Sequence, residues 1–210
     1  MYIPHYFKNE NIEDVSDFIE KNSFAILISQ SDSKFQATHI PLESDKNENG
    51  QPVLYGHISK ANPQWKNFVN DSEILAIFNG PHCYISSSWY DHENVPTWNY
   101  IAVHIYGKVK IIEGEKLVQA LTKLVDKYEK QMENPVSVST MSEEFLAKEI
   151  RGIIGFEIEI TEVQAAWKLS QNRDKKNHSN IVTELKKSND SNSHLIAMEM
   201  GKNINKKHKT

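Results

Sequence analysis

The sequence predicts an α+β fold built on an antiparallel sheet or barrel. Three observations predict it. Apolar runs of strand length follow one another across short polar turns. The amphipathic helical stretches are grouped, whereas a doubly wound sheet would place one between most strands. The Gly-rich phosphate loops of nucleotide-binding α/β folds are missing: the chain has neither GxGxxG nor a Walker motif. A length of 210 residues fits one domain, or a domain with a substantial tail.

Asn11 is a plausible N-cap for a short first helix, with Asp14 three residues on and Ile12, Val15, Phe18 and Ile19 as its apolar stripe. Phe24-Ala25-Ile26-Leu27-Ile28 reads as a strand buried on both faces. Ser31-Asp32-Ser33 turns the chain, and Phe35 to Ile40 returns as the second strand of a hairpin. The polar segment Glu43 to Gln51 reads as an exposed connection, and Val53 to Ile58 as a third strand. Asn62-Pro63 opens a short helix through Trp65 and Phe68, with an N-cap followed by proline at the first helical position. Ile74 to Phe78 is strand, Asn79-Gly80-Pro81 a turn, and Asn99 to Ile112 a long strand. Leu117, Leu121, Leu124, Val125 and Tyr128 fall on one face of a helix over 115–132. A second helix spans Thr140 to Arg151, opened by Thr140 and Glu143. Gly152 to Thr161 alternates as a half-exposed strand, and polar, basic, helical pieces follow Trp167. The resulting layout is residues 1–166 as the body, with inserted helices over 115–151, and 167–210 as a basic helical tail.

No apolar run approaches the ~18 residues of a membrane helix. No secretory signal is evident at the N-terminus. The single cysteine, Cys83, excludes an internal disulfide framework and fits a cytoplasmic location; in an aromatic strand it reads as a small buried residue. The net charge of −4 is unevenly spread. From Trp167 on, ten Lys and Arg stand against four acids, which leaves the tail at +6 and the preceding residues at −10. Such asymmetry marks either a nucleic-acid arm or a solvated surface.

The chemistry concentrates in Phe78 to Gly107. Its thirty residues hold two of the four Trp, three of the nine His and four of the eight Tyr. Each of these rings brings a polar atom that needs a partner when buried, so the stretch reads as the wall of a site for a flat ligand; the plain alternative is aromatic strand filler. Nine His raise the question of a metal, yet HExxH and paired helical spacings are absent, and no metal is expected. A Ser-His-Asp triad lacks a glycine-flanked nucleophile elbow. The segment His57 to Asn62 runs off a strand into a helix start and carries backbone N–H groups, the Ser59 hydroxyl and the Lys60 ammonium, which are the parts a phosphate needs. Together with Tyr84, Trp98 and Tyr100, a phosphate at one end and ring walls at the other point to flavin mononucleotide, FMN.

The motifs GHISKANPQW (56–65), GPHCYISSSWY (80–90), VPTWNYIAVHIYG (95–107) and KLSQNR (168–173), with the opening MYIPHYF, strongly resemble the PaiB family, FMN-binding split-barrel proteins described as negative transcriptional regulators. The resemblance runs from Met1 to about Arg173. One departure is Ser87, where the family's ISPSWY version has proline. The resemblance implies a split β-barrel with flanking helices, like pyridoxamine-phosphate oxidases and flavin reductases. It also implies a homodimer with flavin sites at the interface, and repression of protease or sporulation-type genes. Carried over, the candidate cofactor contacts are Thr38, His39, His57, Ser59, Lys60, Ala61, Asn62, Trp98, Asn99 and Tyr100, with Lys168, Gln171 and Arg173 reaching the partner subunit's site. No helix-turn-helix signature is present, so DNA contact would rest on the basic tail, and regulation through redox or ligand sensing is the other route. Two alternatives stay open: a flavin-dependent oxidoreductase, and a haem-binding or haem-degrading barrel that uses His39, His57, His82 or His104.

Overall fold

A computed structural model of the chain describes residues 1–31, 34–68 and 72–207. The expected turn at Asp32-Ser33 therefore lies outside the described residues. Seven strands form one antiparallel sheet among the described residues: β1 (Phe24–Ser31), β2 (Lys34–Pro41), β3 (Glu43–Lys46), β4 (Pro52–Ser59), β5 (Glu73–Ile85), β6 (Thr97–Ile112) and β7 (Ile153–Lys168). Their order is β2-β1-β5-β6-β7-β4-β3, so β2 and β3 are edges and the sheet does not close. The helices are α1 (Ile12–Lys21), α2 (Gly114–Glu129), α3 (Glu143–Ile150), α4 (Lys175–Lys187) and α5 (Ser191–Lys207). The chain divides into two compact units, one of residues 19–78 and 105–163, the other of 1–18, 79–104 and 164–210; β5, β6 and β7 each contribute residues to both.

In the first unit β1 and β2 form the expected hairpin, with Leu27 opposite Thr38 and Ile26 opposite His39. β4 pairs with β7, and Phe68 meets Phe156 edge to face at 5.1 Å. Four expectations need correction here. β1 is not buried on both faces: Ala25 and Leu27 are inside while Phe24 is exposed, the alternation of a half-covered strand. Glu43 to Lys46 is strand, because its charged residues suit an edge and its backbone pairs with β4. α3 starts at Glu143, capped by the Ser142 hydroxyl accepting from Phe145 N–H, and not at Thr140. Glu157 on β7 is buried, ion-paired with Lys116 at 2.8 Å and hydrogen-bonded by Tyr55, whose phenol is pushed above its ordinary value by burial first and Glu157 second.

In the second unit Asn11 does cap α1, accepting from Asp14 N–H at 3.0 Å. Val15, Phe18 and Ile19 are buried, but Ile12 is 84% exposed at the helix start. Phe18 packs edge to face on Trp167 at 5.3 Å. The expected turn at Asn79-Gly80-Pro81 is instead continuous β5 strand. Gly80 has a packing reason to be glycine: a Cβ there would come within 2.5 Å of the Phe18 ring and 3.1 Å of the Ile101 carbonyl. α4 is capped by Asp174, and α4 and α5 contribute Ile181, Leu185, Ile196, Ala197 and Met200 as buried side chains.

Gly80→Ala is therefore expected to cost about 1–3 kcal/mol, the overpacking range. Urea unfolding checks it; a midpoint equal to that of the unsubstituted chain would mean that Phe18 yields freely.

Candidate functional site

The first unit holds seven of the sequence-derived candidates: Thr38, His39, His57, Ser59, Lys60, Ala61 and Asn62. β2 carries Thr38 and His39, β4 ends on His57 to Ser59, and a five-residue 3-10 helix follows over Pro63–Asn67. Asn62 caps it, accepting from Gln64 N–H at 3.0 Å. Asn62 also donates its side-chain amide to Thr38 Oγ1 at 2.9 Å, and Thr38 donates to Gln64 Oε1 at 2.5 Å. Gln64 is the functional-looking residue that the sequence reading missed. It is 1% exposed and donates to the carbonyls of Leu27 and Gln36 and to Ser29 Oγ. A buried amide with every position filled fixes the helix start against β1 and β2. Its only signal in the sequence was its place inside the 56–65 motif.

The backbone donors expected for a phosphate are already used. Lys60 N–H donates to the Gly152 carbonyl at 2.8 Å, Ala61 N–H to Ser59 Oγ, and Asn62 N–H to the Ser59 carbonyl. Trp65 closes the segment from its indole N–H to the Lys60 carbonyl at 3.0 Å. The groups left to meet an anion are side chains: the Ser59 hydroxyl proton and the exposed Lys60 ammonium. His57 sits half-buried on β4, and burial holds its imidazole below the ordinary value. His39 is exposed and stacks on Phe24.

The second unit holds Tyr84, Trp98, Asn99, Tyr100, Lys168, Gln171 and Arg173. Trp98 and Tyr84 are 53% and 48% exposed and meet edge to face at 6.0 Å, with His82 6.2 Å from the Trp98 ring. With Trp89, and with Asp190 and Ser193 at the start of α5, they line a cleft of about 450 Å³. Two large rings that keep half their surface in water offer a planar ligand area to cover. Tyr100 is half-buried on β6. Asn99 faces the other way and is fully buried; it accepts from the Ser170 hydroxyl at 3.1 Å and donates to Met200 Sδ. Ser170 stands at φ +59°, a left-handed conformation that favours glycine. Gln171 spends both ends of its amide on this turn, accepting from Leu169 N–H and donating to the Trp167 carbonyl. Cys83 is buried, and its thiol is pushed up to about 11 by burial. No group of three or more His, Cys, Asp or Glu residues is placed to hold a metal among the described residues.

Two predictions follow from these partners. Gln64→Leu leaves several buried donors and acceptors unpaired and is expected to lower stability by about 1–3 kcal/mol in denaturant unfolding; an unchanged midpoint would refute the network. His104 on β6 is held low by burial and then by the positive Met1 amino group, in the same sense as His57. The unfolded chain takes up protons as pH falls through the ordinary value near 6.5, while the folded chain resists, so stability is full above that pH and declines below it. Thermal unfolding between pH 7.5 and 5.5 should show this decline and a shallower one for His104→Gln; equal slopes would count against it.

The residues fit a ligand with a flat ring and an anionic group, and comparison with known proteins gives that ligand a family. Residues 1–162 match the family profile described as "Putative FMN-binding domain". The chain is 42% identical over 206 residues to protease synthase and sporulation protein PAI 2 of Bacillus subtilis (strain 168), covering 98% of this chain and 99% of that protein. Among solved structures it is similar to the FAD and heme binding protein from Mycobacterium smegmatis, with a TM-score of 0.61 at 13% identity, covering 82% and 78% of the two chains. It is likewise similar to the flavocytochrome Anf3 from Azotobacter vinelandii, with a TM-score of 0.57 at 18% identity, covering 83% and 76%. Likeness at that identity shows the fold, the α+β split barrel. The chain belongs to the FMN-binding domain family, alongside PaiB (PAI 2) of B. subtilis.

Proposed function

We propose that the chain is a PaiB-type FMN-binding regulator, a cytoplasmic homodimer that lowers expression of protease or sporulation-type genes in response to redox state or a small ligand. The cofactor part rests on one observation: the family match covers residues 1–162, a span that contains both the exposed Trp98 and Tyr84 rings and the outward Ser59 and Lys60 groups. In this reading Lys60 and Ser59 meet the phosphate, with Thr38, His39, His57, Ala61 and Asn62 shaping their segment. Tyr84, Trp98 and Tyr100 cover the ring, and Asn99 acts through the turn it holds. Lys168, Gln171 and Arg173 serve the partner subunit's site. FMN, when bound, supplies a ring that takes up and releases one or two electrons.

The regulatory part is supported by the name of the B. subtilis relative, protease synthase and sporulation protein. Direct DNA contact would fall to the basic tail, where Lys176, Lys187 and Lys202 are already paired with Asp91, Glu184 and Glu199. Sensing through the flavin is the route this charge pattern favours. No helix among the described residues is long and apolar enough to cross a membrane. Haem is the alternative ligand, supported by the heme-binding function in the name of the M. smegmatis protein, with His39, His57, His82 and His104 as ligand candidates.

The test is an absorption and fluorescence titration of the purified protein with FMN and then hemin. FMN is expected to bind with quenched fluorescence, and Trp98→Ala and Lys60→Gln each to weaken it roughly tenfold, since a ring contact or an exposed charge contact is worth about 1 kcal/mol. A Soret band with no flavin response would transfer the site to haem; no response to either would sink the cofactor reading.

A further inference from the structure

The turn after β7 leaves two cations unneutralised, and this is exceptional in the molecule. Lys168 ends β7 and donates to Thr97 Oγ1 at 2.6 Å. Five residues on, the Arg173 guanidinium lies over the Tyr90 ring, 5.1 Å from its centroid. Neither forms an ion pair among the described residues, although Lys8, Lys110, Lys116, Lys123, Lys127, Lys176, Lys187 and Lys202 all do. The acids nearest to them are committed elsewhere: Asp91 to Lys176, His92 and Asn177, and Asp174 to the N-terminus of α4. Lys168 is partly buried close enough to Arg173 to be repelled, and burial first, then Arg173, holds its ammonium below the ordinary value.

Such an arrangement is costly unless something offsets it. The turn is nevertheless strongly fixed. Ser170 holds a left-handed conformation through its bond to buried Asn99, Arg173 N–H reaches the Ser170 carbonyl at 3.1 Å, and Gln171 closes the remaining backbone groups. Strain that persists because its surroundings over-determine it is a feature of ligand clamps. A second, independent observation has the same sign. Tyr90 Oη and Asn94 Nδ2, from the loop that joins Tyr90 to Thr97, are buried with no hydrogen-bond partner among the described residues. One segment thus collects two free cations and two orphaned polar groups able to donate.

We propose that Lys168 and Arg173, presented by the Ser170 turn beside Tyr90 and Thr97, form an oxyanion subsite that takes a phosphate group. Lys168 supplies a compact charge with two ammonium protons left to donate, and Arg173 a planar fork suited to two phosphate oxygens. The subsite is separate from the Ser59–Lys60 segment and does not depend on flavin binding. The phosphate has two sources, FMN itself or a different phosphorylated molecule.

The test measures binding of inorganic phosphate and pyrophosphate to the full chain by calorimetry, with thermal unfolding in phosphate-free buffer alongside. The double variant Lys168→Gln, Arg173→Gln is compared with Lys175→Gln, an exposed lysine on α4. Pyrophosphate is expected to bind the unsubstituted chain and Lys175→Gln alike and to lose at least tenfold in the double variant. That variant should unfold at the same or a higher temperature without anion, because the repulsion is gone, and should not be stabilised by added phosphate. Riboflavin, which lacks the phosphate, separates the sources. Loss of FMN affinity with riboflavin unchanged assigns the group to FMN, whereas loss of pyrophosphate with FMN unchanged assigns it to a second ligand. Equal pyrophosphate binding in the double variant and the control, or none to the unsubstituted chain, overturns the proposal. Because the anion arm needs no flavin, a protein that ignores FMN yet binds pyrophosphate through these residues would refute only the cofactor reading.

Discussion

Both units depend on a buried amide whose hydrogen bonds are filled by the chain itself. In one, Gln64 stands where five polar groups converge from β1, β2 and a short helix, and its geometry makes those three elements rigid relative to one another. In the other, Asn99 occupies the same role with different partners, the hydroxyl of a strained turn and a thioether of the last helix. An unfilled buried amide costs more than a filled one contributes, so these centres tolerate few substitutions, and the segments they hold are the ones that carry the candidate ligand groups.

The way charge is distributed separates scaffold from site. Along α2 and the sheet edges, lysines are matched to carboxylates: Lys127 to Glu43 at 2.5 Å, Lys110 to Glu159 at 2.9 Å, Lys116 to buried Glu157. Exposed pairs of this kind add little to stability, but they leave a surface electrically quiet. Against that background Lys60, Lys168 and Arg173 stand out, because no acid answers them among the described residues. The sequence counts charges but does not show which are cancelled; that depends on side chains brought together from distant parts of the chain.

The fold class was legible because strand-length apolar runs and grouped helices are local patterns, and the long motifs placed the candidate contacts on the right elements. What remained illegible has physical reasons. β3 is polar and short, so only its partner β4 makes it a strand. Asn79-Gly80-Pro81 has turn composition, yet its glycine answers to the Phe18 ring packed against it and not to a bend. Glu157 looks solvent-facing by alternation and is drawn inside by Lys116 and Tyr55 from other elements. The phosphate donors assumed for 60–62 were a local inference, and the Gly152 carbonyl, ninety residues on, had already claimed one of them. Gln64 showed no signal of its own, because a buried glutamine is recognised by its partners and not by its neighbours in sequence.

The composition of the second unit has a consequence for how the protein is made. It joins residues 1–18 to 164–210, with Lys8 and Asn9 bridged to Ala166 and Ala165, Phe18 against Trp167, and Met200 against Asn99. A ribosome releases the N-terminal segment first, and its partners emerge last. The early chain therefore waits, apolar helix face uncovered, for almost the whole of translation. Vectorial synthesis lets the other unit assemble while this one stays open, so the completed C-terminus is the step that closes the molecule.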